Sequence, residues 1–280
     1  MKPERLCWGI YRESSHSPGR VDDDAAILDA VGKALSDRGF SVGILHADAA
    51  DAALNTPGAR IFAMCEQEAI LARLDKAVDA GAVVINSPAA IRNTYRSLTR
   101  AKFIEAGVAA PVSWLISTAD PGQKPADKVW IKRADFHATQ ADDVIFAATD
   151  GEWESGVELF ARRGMEKAVI QVHAPGDLIK FYGVRDPAAA APWFEWFYHK
   201  DQTLSGHAFE LPTLTGAAFH AAEALGVDVF GGDAIIGADG SATIIDLNAW
   251  PSFARFRPSA AAAIAARLAH AFEPALSVYS

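Results

Sequence analysis

The sequence predicts an α/β protein with a parallel-sheet lobe at its amino end and two smaller α+β lobes after it. Three observations carry that reading. Residues 1–88 alternate short apolar strands with helix-period segments, which implies a mostly parallel sheet covered on both faces. After Asn86-Ser87-Pro88 the texture shifts to short strands parted by turns, with a few longer helices. The 280 residues, half of them apolar and 22% charged, leave room for about two compact lobes and a sizeable core.

In the first segment, strands are expected at Leu6 to Ile10, Ser41 to Leu45, Arg60 to Cys65 and Ala82 to Ile85. Helices are expected over Asp22 to Arg38 and Gln67 to Ala80, closed by Gly39 and Gly81. Residues 89–173 form the second lobe: two short helices running up to Gly107, then strands Val112 to Ile116, Lys128 to Arg133, Asp143 to Ala147 and Ala168 to Val172, with a helix at Glu152 to Arg163. Residues 174–280 form the third, with strands at Leu178 to Val184, Trp193 to Tyr198, Gly232 to Gly237 and Ala242 to Leu247. Helices at Pro212 to Leu225 and Ser259 to Phe272 complete it.

Charge and cysteine usage exclude several functions. Lys and Arg number 26 against 35 Asp and Glu, and a net charge of -9 argues against a nucleic-acid or anionic-membrane surface. Cys7 and Cys65 sit in apolar strand-like runs and build neither a disulfide framework nor a metal cluster. With no signal pattern and no apolar run near the ~20 residues that cross a bilayer, a cytoplasmic location is expected.

The sharpest local signal is Gly232-Asp233 through Asp246-Leu247-Asn248. Asp239-Gly240 reads as a two-residue type I′ turn, so that Ala238 faces Ser241 and Asp233 lies across from Asp246. Asn248 shares their face by the strand period. Opposed like charges destabilise a strand pair, which calls for a cation, and an all-oxygen set suits a hard one such as Mg²⁺. The bland alternative is a solvated sheet face. Lys132 ends the apolar strand Val129-Trp130-Ile131 and leads into the polar loop Ala134 to Gln140, which could lie over phosphates; a snorkelling lysine is the alternative. Lys180 is a second lysine inside an apolar strand. No P-loop or GxGxxG turn occurs, so phosphate binding would use side-chain cations.

This order of segments resembles the ATP-grasp superfamily: Asn86-Ser87-Pro88, Gly107, Pro111, Lys132 with its loop, Gln171-Val172-His173, Gly176-Asp177, Lys180, Gly232-Asp233 and Asp246-Leu247-Asn248. The resemblance implies ATP clasped between the two α+β lobes. Lys132, with Lys180, would meet phosphates, the stretch Gln171, Val172, His173 and Ala174 would be the adenine hinge, and Asp177 would meet the ribose. Asp233, Asp246 and Asn248 would hold Mg²⁺. The central metal ligand is usually Glu and is Asp246 here, and Ala134 to Gln140 replaces a glycine-rich loop. Both departures resemble the inositol polyphosphate kinase branch, with its Lys132…His137-Ala138-Thr139 and Asp246-Leu247-Asn248-Ala249-Trp250-Pro251-Ser252-Phe253 patterns. The implied activities are a carboxylate-amine or thiol ligase acting through an acyl phosphate, and as alternative a small-molecule kinase. A homodimer is left open.

Further candidates are expectations of position. His137 donates to a shifting phosphoryl group or caps its loop. Arg12, His16 and Arg20 follow the first strand, where open α/β sheets place ligands, and point to an anionic substrate. The aromatic run Trp193 to Tyr198 is more often core than platform. His199 and Lys200 lie where ATP-grasp enzymes place a phosphate-facing cation, which makes Lys200 a catalytic candidate beside His137 and Lys180. Arg255 and Arg257, two residues apart, could clamp a carboxylate or phosphate.

Overall fold

The computed structural model describes residues 5–135, 137, 138 and 140–273. The first lobe holds four parallel strands, β1 (Leu6–Ile10), β2 (Ser41–Leu45), β3 (Arg60–Ala63) and β4 (Val83–Ile85), in the order β2-β1-β3-β4. Helices α1 (Val21–Ser36), α2 (Asp51–Leu54) and α3 (Glu68–Asp79) make its crossovers. Short strands of this kind, apolar on both sides, need cover on both faces. Ile10, Ile61 and Ala63 pack with α3 on one side, and Cys7, Phe62 and Met64 pack with α1 on the other. Both cysteines are free and buried.

Helices α4 (Pro88–Asn93) and α5 (Arg96–Ala106) lead into a second sheet of β5 (Ser113–Ser117), β6 (Val129–Arg133), β7 (Val144–Ala147) and β8 (Lys167–Val172), antiparallel in the order β5-β8-β6-β7. Val129, Ile131, Ala168 and Ile170 pack on α6 (Asp150–Arg162), whose start is fixed by the Thr149/Glu152 capping box. By the strand period the opposite face carries Trp130, Lys132, Val169 and Gln171. This core is separate from the other two.

The third sheet comprises β9 (Asp177–Val184), β10 (Trp193–Tyr198), β11 (Val229–Ile236) and β12 (Ala242–Ala249), antiparallel in the order β10-β9-β11-β12. Ile179, Phe181, Phe230, Ala234 and Leu247 pack on α7 (Leu211–Leu225), joined by Phe194, Trp196 and Tyr198 from the aromatic run, which is half-buried along its whole length. Leu178, Lys180, Tyr182, Asp233, Asp246 and Asn248 are left on the uncovered face. The last helix, α8 (Arg257–Phe272), returns to pack along α1. No helix among the described residues is long and apolar enough to cross a membrane.

The two bare faces meet. Lys132 and Gln171, from the second sheet, donate to the Ile245 carbonyl on β12 at 3.0 and 3.4 Å. Gly176 connects the two sheets with φ +143°, and a Cβ there would lie 2.1 Å from the Ile236 carbonyl oxygen. Only glycine fits that approach. Gly176→Ala is therefore expected to destabilise the protein by roughly 1–3 kcal/mol, read as a lower urea midpoint with unchanged slope; an unaltered midpoint would show that the junction relaxes freely.

Candidate active site

A cavity of about 720 Å³ lies between the loop after β1, the segment after β6 and the uncovered face of the third sheet. Its floor is the β11–β12 hairpin. Three residues, Ala238-Asp239-Gly240, join these strands, with Gly240 alone in the left-handed region (φ +76°) and Gly237 paired to Ser241. That corrects the two-residue turn read from Asp239-Gly240, and it shifts the pairing near the turn by one residue: Ile236 faces Ala242. A β-bulge between Asp233 and Ala234 then absorbs Ile245 and restores the offset, so Asp233 does face Asp246. The bulged Ile245 carbonyl is the one that Lys132 and Gln171 use.

Two like charges opposed on one sheet face need compensation, and protein cations supply it. Lys180, cross-strand from Asp233, bonds both of its carboxylate oxygens at 2.8 and 3.1 Å. Arg96, at the start of α5, reaches Asp246 Oδ2 at 3.0 Å. Burial raises the Asp246 carboxyl, yet Arg96 and Lys132 overcome it and hold it down at about 2. Burial pushes the Lys132 ammonium down to about 8 against the pull of Asp246. Arg96 was invisible in the sequence, because an arginine opening a polar helix has no pattern of its own.

The structure brings Arg12, His16, Arg20, His137, Lys180, His199, Lys200, Asp233, Asp246, Asn248 and Arg255 to this cavity. It does not bring the rest. Lys132 and Gln171 line a neighbouring cavity of about 370 Å³ with Arg96, Phe103 and Ile245. Val172 donates to the Val112 carbonyl and His173 to that of Lys128, while the His173 ring accepts from Trp130 Nε1 at 3.2 Å. Ala174 follows them at the end of β8. Asp177, expected to meet a ribose, is buried and its carboxylate accepts from the Ser205 and His207 amides. Arg257 pairs with Asp23 and does not reach the cavity, so it forms no clamp with Arg255.

Arg12 lines the cavity and is also held by protein partners. Its side chain is 8% exposed, bonded to Glu66 at 3.1 Å, near Asp24 at 3.7 Å, and donates to the Trp250 carbonyl at 2.6 Å. That makes it a brace between the first and third lobes. His137, expected to donate to a phosphoryl group or to cap its loop, lies with Nδ1 2.7 Å from Glu66 and Nε2 3.1 Å from the His16 carbonyl, so both ring nitrogens face first-lobe acceptors. Thr139, which ends the lysine-loop motif, and Phe136 lie outside the described residues. Glu66 was missed because a single acid after an apolar strand carries no signal.

No group of three His, Cys, Asp or Glu side chains able to hold a metal is found among the described residues. The set that fits is Asp233, Asp246 and Asn248, all oxygen donors of the kind a hard cation takes. Asp246 engages Arg96 through Oδ2 only, which leaves Oδ1 free of hydrogen bonds among the described residues.

The depressed Asp246 value makes a sign-definite prediction. Its folded pKa lies below the unfolded one, so the contribution, about 2 kcal/mol, is present above pH 4 and drains as pH falls toward 2. Asp246→Asn should be less stable at pH 7 in EDTA and converge with the parent only below about pH 2, measured by urea unfolding across that range. Parallel curves would remove Asp246 from the acid limb.

No protein-family profile matches the chain, and no curated protein matches it either. Solved structures do. The D-alanine-D-alanine ligase from Coxiella burnetii superposes with TM-score 0.68 at 10% identity, covering 95% of this chain and 94% of that one. The VanG D-Ala:D-Ser ligase from Enterococcus faecalis gives 0.68 at 10%, covering 96% and 99%. A RimK domain ATP-grasp protein from Sphaerobacter thermophilus gives 0.65 at 15%, covering 94% and 99%. The superpositions run along nearly the full length of the chain, and the chain has the ATP-grasp fold.

Proposed function

We propose that the protein is an ATP-dependent ligase that activates a small carboxylic acid as an acyl phosphate and passes the acyl group to an amine. The observation that carries this reading is the Asp233–Asp246 pair with Lys180, Arg96 and Lys132 around it, at the seam of two bare sheet faces. The fold it shares with proteins described as D-alanine-D-alanine, D-Ala:D-Ser and L-amino acid ligases supports it. A nucleotide between the faces would lay its phosphates toward Lys132, Lys180 and Arg96. Magnesium on Asp233, Asp246 and Asn248 would neutralise the charge that builds on the transferring phosphoryl group. The carboxylate oxygen attacks the γ-phosphorus and ADP leaves; the amine then attacks the acyl carbon, phosphate leaves, and the amine gives up its proton. Preorganised cations lower both barriers because they need no reorientation as charge shifts. A cytoplasmic location accords with such chemistry.

The test is trapping. With ATP, an acid pool and hydroxylamine in place of the amine, the protein should yield hydroxamate with matching ADP and phosphate. Phosphate that stays bonded to an acceptor, with none released, would instead make it a kinase. Lys132→Ala should weaken ATP roughly 10- to 150-fold, the loss of one charge-assisted contact of about 1.5–3 kcal/mol, and leave adenosine unchanged; equal losses in a calorimetric titration would make Lys132 structural.

A further inference from the structure

The charges around the main cavity sort into two sets. Its acids, Asp24, Asp233 and Asp246, each face a cation of their own: Arg12, Lys180 and Arg96. Arg20, Lys200 and Arg255 line the same cavity and, among the described residues, have no carboxylate partner. In a chain of net charge -9, three uncompensated cations at one cavity wall concentrate positive potential there against the sign of the whole molecule.

They converge from three separate segments. Arg20 immediately precedes α1, Lys200 follows β10, and Arg255 lies in the turn between β12 and α8. The Arg255 guanidinium sits over the Phe197 ring, 4.4 Å from its centroid, which fixes its plane and leaves its N–H edges for a partner. Arg20 and Arg255 both lie near enough to Tyr182 to act on its hydroxyl electrostatically. That hydroxyl has no hydrogen bond among the described residues, and Tyr182 lines the cavity. Along β9, Tyr182 is two residues beyond Lys180, the partner of Asp233, and so roughly 7 Å from the carboxylate pair, on the side away from Leu178 and the β8–β9 junction.

We infer that the acid substrate carries a second anionic group, carboxylate or phosphate, seated between Arg20, Lys200 and Arg255 beside the Tyr182 hydroxyl. This deepens the ligase reading and rests on it for the identity of the reacting group. The substrate's reacting carboxylate then lies at the Asp233–Asp246 end, and its second charge satisfies the cations that the protein leaves unpaired. Guanidinium groups suit either anion because they bind both through paired hydrogen bonds.

The experiment uses the full chain saturated with Mg²⁺ and a non-hydrolysable ATP analogue, so that the nucleotide's phosphate positions are filled. Inorganic phosphate, glutarate and the monoamide of glutarate are titrated calorimetrically into the parent and into an Arg20→Gln/Arg255→Gln variant, whose exposed positions leave the melting temperature as a check on folding. Glutarate or phosphate should bind the parent at least tenfold more tightly than the variant, the parent should prefer glutarate to the monoamide while the variant binds those two alike, and the analogue's affinity should stay within twofold. Tighter glutarate marks a second carboxylate as the source, and tighter phosphate marks a phosphoryl group. Anion binding that is absent from the parent, or equal in both proteins, overturns the inference. So does a parallel loss of analogue binding, since the cations then serve the nucleotide. If the parent fails to bind the analogue, the ligase reading fails separately, and the phosphate titration without nucleotide still reports on the anion site.

Discussion

The structure depends on two carboxylates held opposite one another in a sheet. Asp233 and Asp246 face each other across β11 and β12, and left alone they would push the hairpin apart. The compensating cations come from different parts of the molecule: Lys180 from the same sheet, Arg96 from α5, and Lys132 from the second sheet. The pair is therefore an electrostatic junction on which the second and third lobes converge. Arg96 shows what this requires: it is 6% exposed, and its Nε and Nη1 have no hydrogen bond, so its one contact with Asp246 is what offsets burying a charge.

The first lobe joins through a second polar cluster. Arg12 donates to the carbonyl of Trp250 and lies beside that of Ala249, directly after the Asp246–Asn248 segment. Trp250 and Phe253 both have positive φ, +42° and +50°, an uncommon conformation for bulky side chains that surrounding contacts must maintain. Arg12 is one such contact. The fully buried rings of Trp250 and Phe253, packed with Phe62 and α8, are another. The turn that presents Arg255 is in this way positioned from the first lobe as well as the third.

How far the sequence reveals this differs by the kind of signal. Strands and helices with a clear period are found where expected, generally within three residues, because burial on one or both faces writes directly into apolar spacing. The Asp233–Asp246 juxtaposition is also legible, but by compensation: the turn holds one more residue than Asp239-Gly240 suggests, and the Ile245 bulge cancels the shift. The partnerships of Arg12, His137 and Asp177 are not legible. Each is a polar side chain satisfied by a residue distant in sequence or by backbone amides, and a polar residue type states only that a partner is needed. Arg96 and Glu66 are hidden for the same reason, since their importance comes from burial that a helix start and a strand end do not announce.

The second sheet and α6 have a core of their own, apart from α4 and α5, whose Ala90, Ile91 and Phe103 pack with the first and third lobes, and the bonds that tie this sheet across the seam are polar. Lys132 and Gln171 reach one carbonyl of β12, the carbonyls of Ala134 and Asp135 accept from the first amides of α5, and His137 reaches Glu66 and the His16 carbonyl. Contacts of this sort cost little to exchange, because an incoming anion or a water can satisfy the same donors and acceptors. Apolar contacts resist such exchange, and they bind the first and third lobes together through α8, Trp250 and Phe253. The molecule thus divides into a stiffly joined pair of lobes and a third body held by replaceable bonds, and the replaceable bonds cluster along the seam where the bare sheet faces meet.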